Sequence, residues 1–190
     1  MTRMQGTAAS PRRQAGGGAR LGAALFCLGL WVMGTVWVSV VATQNFFTID
    51  RLLAGPSHEE FAAFVEAAGR ETARPVLRYL SSELNRLFFA WWNAAQLGIG
   101  AATLWLVWRL PDARRLKLAL AAMLLVVVVL AVGLTPPIVA VGRSLDFVPR
   151  DPLPPAMATF GLLHAAYTTL ELLKGGAAIV AAAWLIRRGP

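Results

Sequence analysis

Four long apolar windows with almost no charge are the feature that most constrains how this chain folds. Three of them, residues 21–43, 87–108 and 118–141, contain no charged side chain, and the fourth, residues 156–186, contains two. A helix needs about 20 mostly apolar residues to cross a bilayer. The sequence therefore predicts an all-α fold, a four-helix transmembrane bundle, with residues 21–190 forming a single transmembrane domain.

The composition supports the same interpretation. Of the 190 residues, 57% are hydrophobic and 15% are charged, whereas soluble domains have about 45–50% apolar and about 25% charged residues. Intrinsic disorder and a disulfide scaffold are excluded as the main architecture, because disorder needs low hydrophobicity and the chain has one cysteine. The first window exceeds the roughly 7–15 apolar residues of a signal peptide, so we expect a retained helix.

The distribution of basic residues predicts the orientation. The segments 1–20, 109–117 and 187–190 contain ten Lys and Arg residues and one acid, whereas the loops 44–86 and 142–155 contain seven basic and eight acidic residues. Basic residues concentrate on the cytoplasmic side of membrane proteins. We therefore expect a multi-pass protein of the cell inner (plasma) membrane with both termini in the cytoplasm. The net charge of +8 follows from this asymmetry, so no nucleic-acid partner is predicted.

The segments outside the windows give a simple organisation. Residues 1–20 are predicted to be a disordered cytoplasmic tail, because they are rich in Gly, Ala, Ser and Arg and lack an apolar period. In the external loop 44–86, Ser57 and Glu60 have the capping-box spacing. An extracytoplasmic amphipathic helix should follow them and end near Arg74, with Pro75 in the first turn of the next helix. We expect this helix to pack on the bundle, a partner-binding groove being the alternative. The proline-rich external loop 142–155 predicts an ordered cap, or else a docking surface.

The fourth window holds the most unusual side chains of the sequence. Polar residues recur there at spacings of three and four and so share one helix face; they are His164, Tyr167, Thr168, Glu171 and Lys174. A charge at the bilayer centre costs about 2.5–3.5 kcal/mol, so such groups turn inward and find partners.

Two hypotheses account for this polar stripe. In the structural one, which we prefer, it packs against polar groups of other spans, with Asn93, Gln96 and Ser39 as candidate partners. In the functional one, His164, Glu171 and Lys174 line a cavity for a proton, an ion or a small polar ligand.

A second polar cluster is predicted at the outer mouth of the bundle. Residues after the first window should end its helix and meet residues that open the second window; together they are Gln44, Asn45, Asp50, Arg51, Glu83, Asn85 and Arg86. The mixture of amides, carboxylates and guanidinium groups makes this the second candidate site.

Catalytic and cofactor signatures are absent from the sequence. It has no phosphate-binding Gly-rich loop, no Gly-x-Ser-x-Gly elbow and no His-Glu-x-x-His motif. A metal site needs several His, Cys or carboxylate ligands close together, but His58 and His164 lie in different parts of the chain and Cys27 is alone. We expect no metal, no cofactor and no enzyme activity.

Three short segments resemble a known group of proteins. They are Gln44-Asn45-Phe46-Phe47, Glu83-Leu84-Asn85-Arg86, and the fourth-window residues His164, Tyr167, Glu171 and Lys174. The chain is similar there to the small bacterial four-span integral membrane proteins of an uncharacterised family related to the transmembrane-protein-205-like group. The resemblance implies a helical bundle in the inner membrane and no established reaction.

The sequence leaves three functional hypotheses. The first is a non-enzymatic accessory or assembly subunit that acts through contacts with membrane lipid, other membrane protein subunits or further copies of itself. The second is a small transporter or an ion- or proton-conducting protein that uses the polar stripe. The third is a haem- or quinone-linked redox protein, which would need a methionine or a second subunit as the other axial ligand of a haem.

Overall fold

A computed structural model describes residues 11–55 and 58–188, and this part of the chain is helical without any strand. The helices are α1 (Pro11–Ala54), α2 (Glu59–Ala68), α3 (Arg70–Trp108), α4 (Arg114–Val128), α5 (Thr135–Ser144) and α6 (Ala156–Arg188). A π-helical segment, Val129–Leu134, joins α4 to α5 without a break. The predicted all-helical fold is confirmed.

Three of the helices are long and apolar enough to cross a membrane: Gly17–Ala54 within α1, the continuous stretch Arg114–Ser144, and α6. They contain three of the four predicted windows. The remaining predicted window, residues 87–108, lies in α3, which is 39 residues long but is not among the three. The buried residues of α3 include the polar Ser81, Asn93, Gln96 and Thr103, and buried amides of this kind lower its hydropathy.

The four long helical stretches run alternately up and down, so the bundle has two distinct ends. The terminal end carries the start of α1, the end of α6 and the connection 109–113; the loop end carries residues 58–69 and 145–155. An apolar core fills the terminal half, with Leu28, Val107, Leu120, Val127 and Leu185 at 1% exposure or less. A smaller cluster of Ile49, Leu53, Val65 and Ala73 lies at the loop end and holds α2 against α1 and α3.

The outer surface of the bundle is apolar. Large side chains such as Trp37, Leu125, Val132, Leu162 and Val180 are exposed along α1, the stretch 114–144 and α6. A soluble monomer rarely shows contiguous apolar surface on this scale. The surface therefore fits contact with lipid, in agreement with the predicted membrane protein.

Helix α1 is longer at both ends than the window that predicted it. Residues 11–20 are helical, which corrects the predicted disordered tail in that part; residues 1–10 lie outside the described chain. Extension of an existing helix is cheap because each added residue adds a hydrogen bond. The other end continues past residue 43 to Ala54, since Ile49 and Leu53 pack against Val65 and Ala73. Residues 44–51 therefore do not end the helix, contrary to the expectation.

The loop-end helices also differ from the prediction. His58 is the N-cap of α2 and makes no capping side-chain bond, while Ser57, the predicted cap, lies outside the described residues. The helix ends at Ala68 and not near Arg74, because Gly69 turns the chain with a φ of 75°. This left-handed conformation suits glycine. Pro75 then lies inside α3 and not in its first turn.

The π-helical segment lies directly before Pro136 and Pro137. Prolines lack a backbone N–H, so carbonyl groups one turn earlier lose their usual partners. Thr135, which precedes the two prolines, bonds to a carbonyl five residues earlier, as in a π-helix: its backbone N–H and its hydroxyl both donate to the carbonyl of Leu130, the hydroxyl at 2.8 Å. The helix therefore widens instead of breaking, and continues to Ser144.

A close contact between α1 and α3 leads to the first prediction. A Cβ atom on Gly34 would overlap the ring of Trp92, whereas a Cβ on Gly29 would meet no atom within 4 Å. We expect Gly34→Ala to lower the free energy of unfolding by about 1–3 kcal/mol through overpacking. Gly29→Ala, the matched control, should be neutral or stabilising by up to about 1 kcal/mol. Denaturant titration of the purified protein in detergent measures both; equal effects would contradict the close contact.

Candidate functional site

The two charged residues in the middle of α6 form a buried ion pair. Glu171 and Lys174 are 7% and 3% exposed, and Lys174 Nζ lies 2.7 Å from Glu171 Oε2. A spacing of three residues puts both side chains on one face of the helix. The two charges compensate each other, which is how charged groups are kept inside a bilayer.

Further contacts join this pair to two other helices. Gln96 of α3 donates from Nε2 to Glu171 Oε1 at 3.1 Å, and its Oε1 accepts from Lys174 and, at 2.9 Å, from Trp31 Nε1 of α1. Thr35 of α1 donates to Glu171 Oε2 at 3.2 Å. We call these five residues, Trp31, Thr35, Gln96, Glu171 and Lys174, the ion-pair network. It connects α1, α3 and α6.

A second chain of hydrogen bonds lies nearer the loop end. Tyr167 of α6 donates to Asn93 Oδ1 at 3.0 Å, and Asn93 Nδ2 donates to Thr135 Oγ1 at 2.9 Å. The Thr135 hydroxyl donates in turn to the carbonyl of Leu130. These bonds link α6 and α3 to the junction between the π-helical segment and α5. The predicted partners Asn93 and Gln96 therefore both contact the polar stripe, through Tyr167 and through the ion pair respectively.

A cavity of about 1280 Å³ occupies the loop half of the bundle. It is lined by parts of four helical stretches and one loop, within residues 35–47, 71–92, 135–151 and 157–172. Thr35 and Glu171 of the ion-pair network lie at its deepest point. Beyond them Leu28, Leu120, Val127 and Ala178 fill the interior at 2% exposure or less. This loop-end cavity is therefore closed towards the terminal end.

The remaining stripe residues line the loop-end cavity instead of joining the network. His164 and Thr168 are exposed and line the cavity, and the His164 ring stacks on Phe160 at a centroid distance of 5.5 Å. Ser39 also lines it, but its hydroxyl donates to the Thr35 carbonyl of its own helix at 2.8 Å. The expected contact of Ser39 with the stripe is therefore not formed.

The residues predicted at the mouth divide into four groups, the last of which is the Glu83–Arg86 ion pair. Asn45 donates to Asn85 Oδ1 at 2.7 Å, and Asn85 donates to the Ala42 carbonyl at 3.0 Å, which joins α1 to α3. Asp50 pairs with Arg74 at 2.7 Å instead of with the start of the second window. Gln44 and Arg51 are exposed on α1 and do not line the loop-end cavity.

Arg86 holds the loop 145–155 on the bundle. Its guanidinium group lies 2.5 Å from Glu83 Oε1 and 2.8 Å from Asp146 Oδ2. Asp146 lies outside the predicted cluster, but the alternating charges of the loop 142–155 allow it to pair within that loop or with the loop 44–86, and the structure forms its pair with Arg86.

Two further arginines at the mouth differ from Arg86 in their contacts. Arg78 and Arg150 are half-buried and line the loop-end cavity. In the described part of the chain neither forms a salt bridge with a carboxylate. Burial, followed by the charges of Arg150 and Arg74, lowers the pKa of Arg78 against the opposing effect of Asp50. No sequence pattern singles out Arg78, and only the fold brings it near Arg150.

Comparison with known proteins adds no assignment. No protein-family model, curated protein or solved structure matches the chain. Within the described residues no group of three His, Cys, Asp or Glu side chains is arranged to hold a metal ion.

The ion-pair network generates a second prediction. Lys174→Met leaves the buried Glu171 carboxylate without its cation, and loss of one buried partner costs about 3–5 kcal/mol. The double variant Glu171→Gln with Lys174→Met removes both charges and should be closer to the wild type. Lys117→Met is the control, because the Lys117 ammonium lies over the Trp108 ring at 5.7 Å and forms no salt bridge among the described residues; its loss should cost at most about 1 kcal/mol. Unfolding in detergent measures all three; a double variant as unstable as Lys174→Met would refute the pairing.

The Arg86–Asp146 contact generates a third prediction. Asp146→Asn should loosen the loop 145–155 and increase amide hydrogen exchange there by up to about fivefold, since such a partly exposed pair contributes up to about 1 kcal/mol. Asp151→Asn is the matched control, because Asp151 lies in the same loop and is exposed. Equal exchange in both variants would show that the ion pair does not hold the loop.

Proposed function

We propose that this protein is a non-enzymatic four-span membrane protein that binds a membrane lipid in the loop-end cavity and acts as an accessory protein through that contact. The observation that carries the proposal is the cavity itself. Its volume of about 1280 Å³ exceeds the roughly 300–1,000 Å³ of most small-molecule sites. A ligand of lipid size accounts for such a space better than a proton or a metal ion.

The four-span topology and the orientation are part of this proposal. Helix α3 lies between antiparallel neighbours and is joined to α4 by the short connection 109–113, so it runs the same length of the bundle as they do. Excess basic residues on the terminal end favour the cytoplasm for that end. The loop-end cavity would then face the extracytoplasmic side of the inner membrane.

A lateral opening between α1 and α6 supports entry from the bilayer. Around and above the Thr35–Glu171 hydrogen bond, cavity-lining residues on both helices are exposed, among them Thr43 on α1 and Thr168 and Leu172 on α6. Leu172 is 70% exposed. A large apolar side chain that is this exposed and also lines the cavity favours a cavity that is continuous with the lipid around the bundle.

The walls of the cavity are suited to hydrocarbon. Val38, Ala42, Phe89, Ile138 and Val139 contribute apolar side chains. The hydroxyls of Ser39 and Thr43 each donate to a carbonyl of α1 at 2.8 Å. Their donors are therefore satisfied inside the helix, which removes the desolvation cost that an unpaired hydroxyl would impose on an acyl chain.

A transporter is the second candidate, and one observation favours it. The loop-end cavity is open at one end, closed at the other, and reaches Glu171 near the middle of α6. Alternating access needs a state of this kind around a site near the midplane. Flux of a labelled substrate into vesicles that is lost in Glu171→Gln would favour transport over lipid binding.

The proposed lipid site gives a fourth prediction. Ser39→Trp should fill part of the cavity and reduce the lipid that co-purifies in mild detergent by severalfold, as measured by mass spectrometry of the intact protein. Val40→Trp is the matched control: Val40 is 44% exposed, is adjacent on α1 and does not line the cavity. Ser39→Ala should keep the lipid. Equal lipid in Ser39→Trp and Val40→Trp would argue against the cavity as the binding site.

A further inference from the structure

We infer that the loop-end cavity recognises phospholipids by their phosphate, which binds between Arg78 of α3 and Arg150 of the loop 145–155. The inference rests on the proposed lipid-binding function and adds the chemistry of the headgroup. Phosphate oxygens accept paired hydrogen bonds from guanidinium groups with favourable geometry.

The two arginines differ from the other arginines at the mouth because neither forms a salt bridge with a carboxylate among the described residues; the charge of Asp50 also acts on Arg78, but the Asp50 carboxylate is paired with Arg74. Arg74 pairs with Asp50, and Arg86 pairs with Glu83 and Asp146. Arg150 instead donates to the Leu145 carbonyl at 3.4 Å and to the sulfur of Met157, neither of which carries a charge. Two like charges thus face one cavity, and a bound phosphate would relieve their repulsion.

Carboxylates on the same rim do not remove this excess. Glu71 and Asp151 also line the cavity, but both are exposed to solvent, and neither forms a salt bridge with Arg78 or Arg150 in the part of the chain that the structure describes. Exposed charges are screened by salt much more than partly buried ones. The half-buried arginines therefore dominate the potential inside the mouth.

The position of the arginines agrees with how a lipid lies in a membrane. The headgroup site is at the loop end, where Arg150 touches Met157 in the first turn of α6. From Met157 to Leu172, the exposed cavity residue nearest the bilayer centre, α6 rises by about 22 Å. One leaflet of the hydrocarbon core is roughly 15 Å thick. A phosphate at the arginines would thus leave room for acyl chains along the lateral opening.

The test compares lipids that differ only in phosphate. Delipidated full-length protein in detergent is titrated with phosphatidylglycerol and with diacylglycerol of the same chains, and the bound fraction is measured by native mass spectrometry. We expect the wild type to prefer phosphatidylglycerol at least about tenfold, which corresponds to about 1.4 kcal/mol. Arg78→Gln with Arg150→Gln should abolish the preference without reducing diacylglycerol binding. Arg78→Lys with Arg150→Lys should retain part of it.

The control removes two positive charges from the same end of the protein. Arg51 and Arg70 are exposed and do not line the cavity, so Arg51→Gln with Arg70→Gln should keep the preference. If the control variant loses the preference to the same extent, the effect is one of general charge and the inference is overturned. The inference is also overturned if millimolar inorganic phosphate displaces phosphatidylglycerol as well as added phosphatidylglycerol does. Equal binding of both lipids by the wild type overturns the phosphate site alone. Binding of neither lipid overturns the proposed function as well.

Discussion

The cost of placing charge inside a bilayer is the constraint on which the rest of this structure depends. Glu171 and Lys174 neutralise each other, but a buried pair is stable only if its remaining hydrogen-bonding capacity is also satisfied. Gln96 supplies a donor to the carboxylate and an acceptor to the ammonium group, and its acceptor also receives the indole N–H of Trp31. Three helices must meet at one height for these bonds to form, so the network fixes how α1, α3 and α6 pack.

The same network divides the bundle into two halves with different properties. On the terminal side the interior is dense and apolar, as the complete burial of Leu120, Val127 and Leu185 shows. On the loop side the helices separate around the cavity, and polar contacts such as Asn45–Asn85 hold them at the rim. One half thus supplies stability and the other an accessible space, an arrangement suited to binding without unfolding.

Hydropathy and charge counting predict the helical bundle and its spans, because the bilayer imposes the same length and apolarity on any helix that crosses it. The three-and-four spacing of the stripe also predicts one common face, and Tyr167, Glu171 and Lys174 do all bond to polar groups inside the bundle. Contacts between residues that are distant in the sequence could not be predicted from such local patterns. The extension of α1 to Ala54 depends on packing with Val65 and Ala73, and the proximity of Arg78 to Arg150 depends on the fold of a loop 72 residues away in the chain. The hydrogen bond from Trp31 to Gln96 likewise depends on the packing of α1 against α3.

The π-helical turn before Pro136 has a consequence for the register of the stretch Arg114–Ser144. A wide turn of this kind accommodates one residue more than a regular α-helix would over the same rise. Each residue of an α-helix corresponds to about 100° of rotation. The segment Val129–Leu134 therefore sets the angular phase of α5 relative to α4, so that Leu120 and Val127 face the dense interior while Ile138 and Val139 face the cavity. A single-residue deletion in this turn would leave the hydropathy of the span unchanged and yet point a different face of α5 at the cavity.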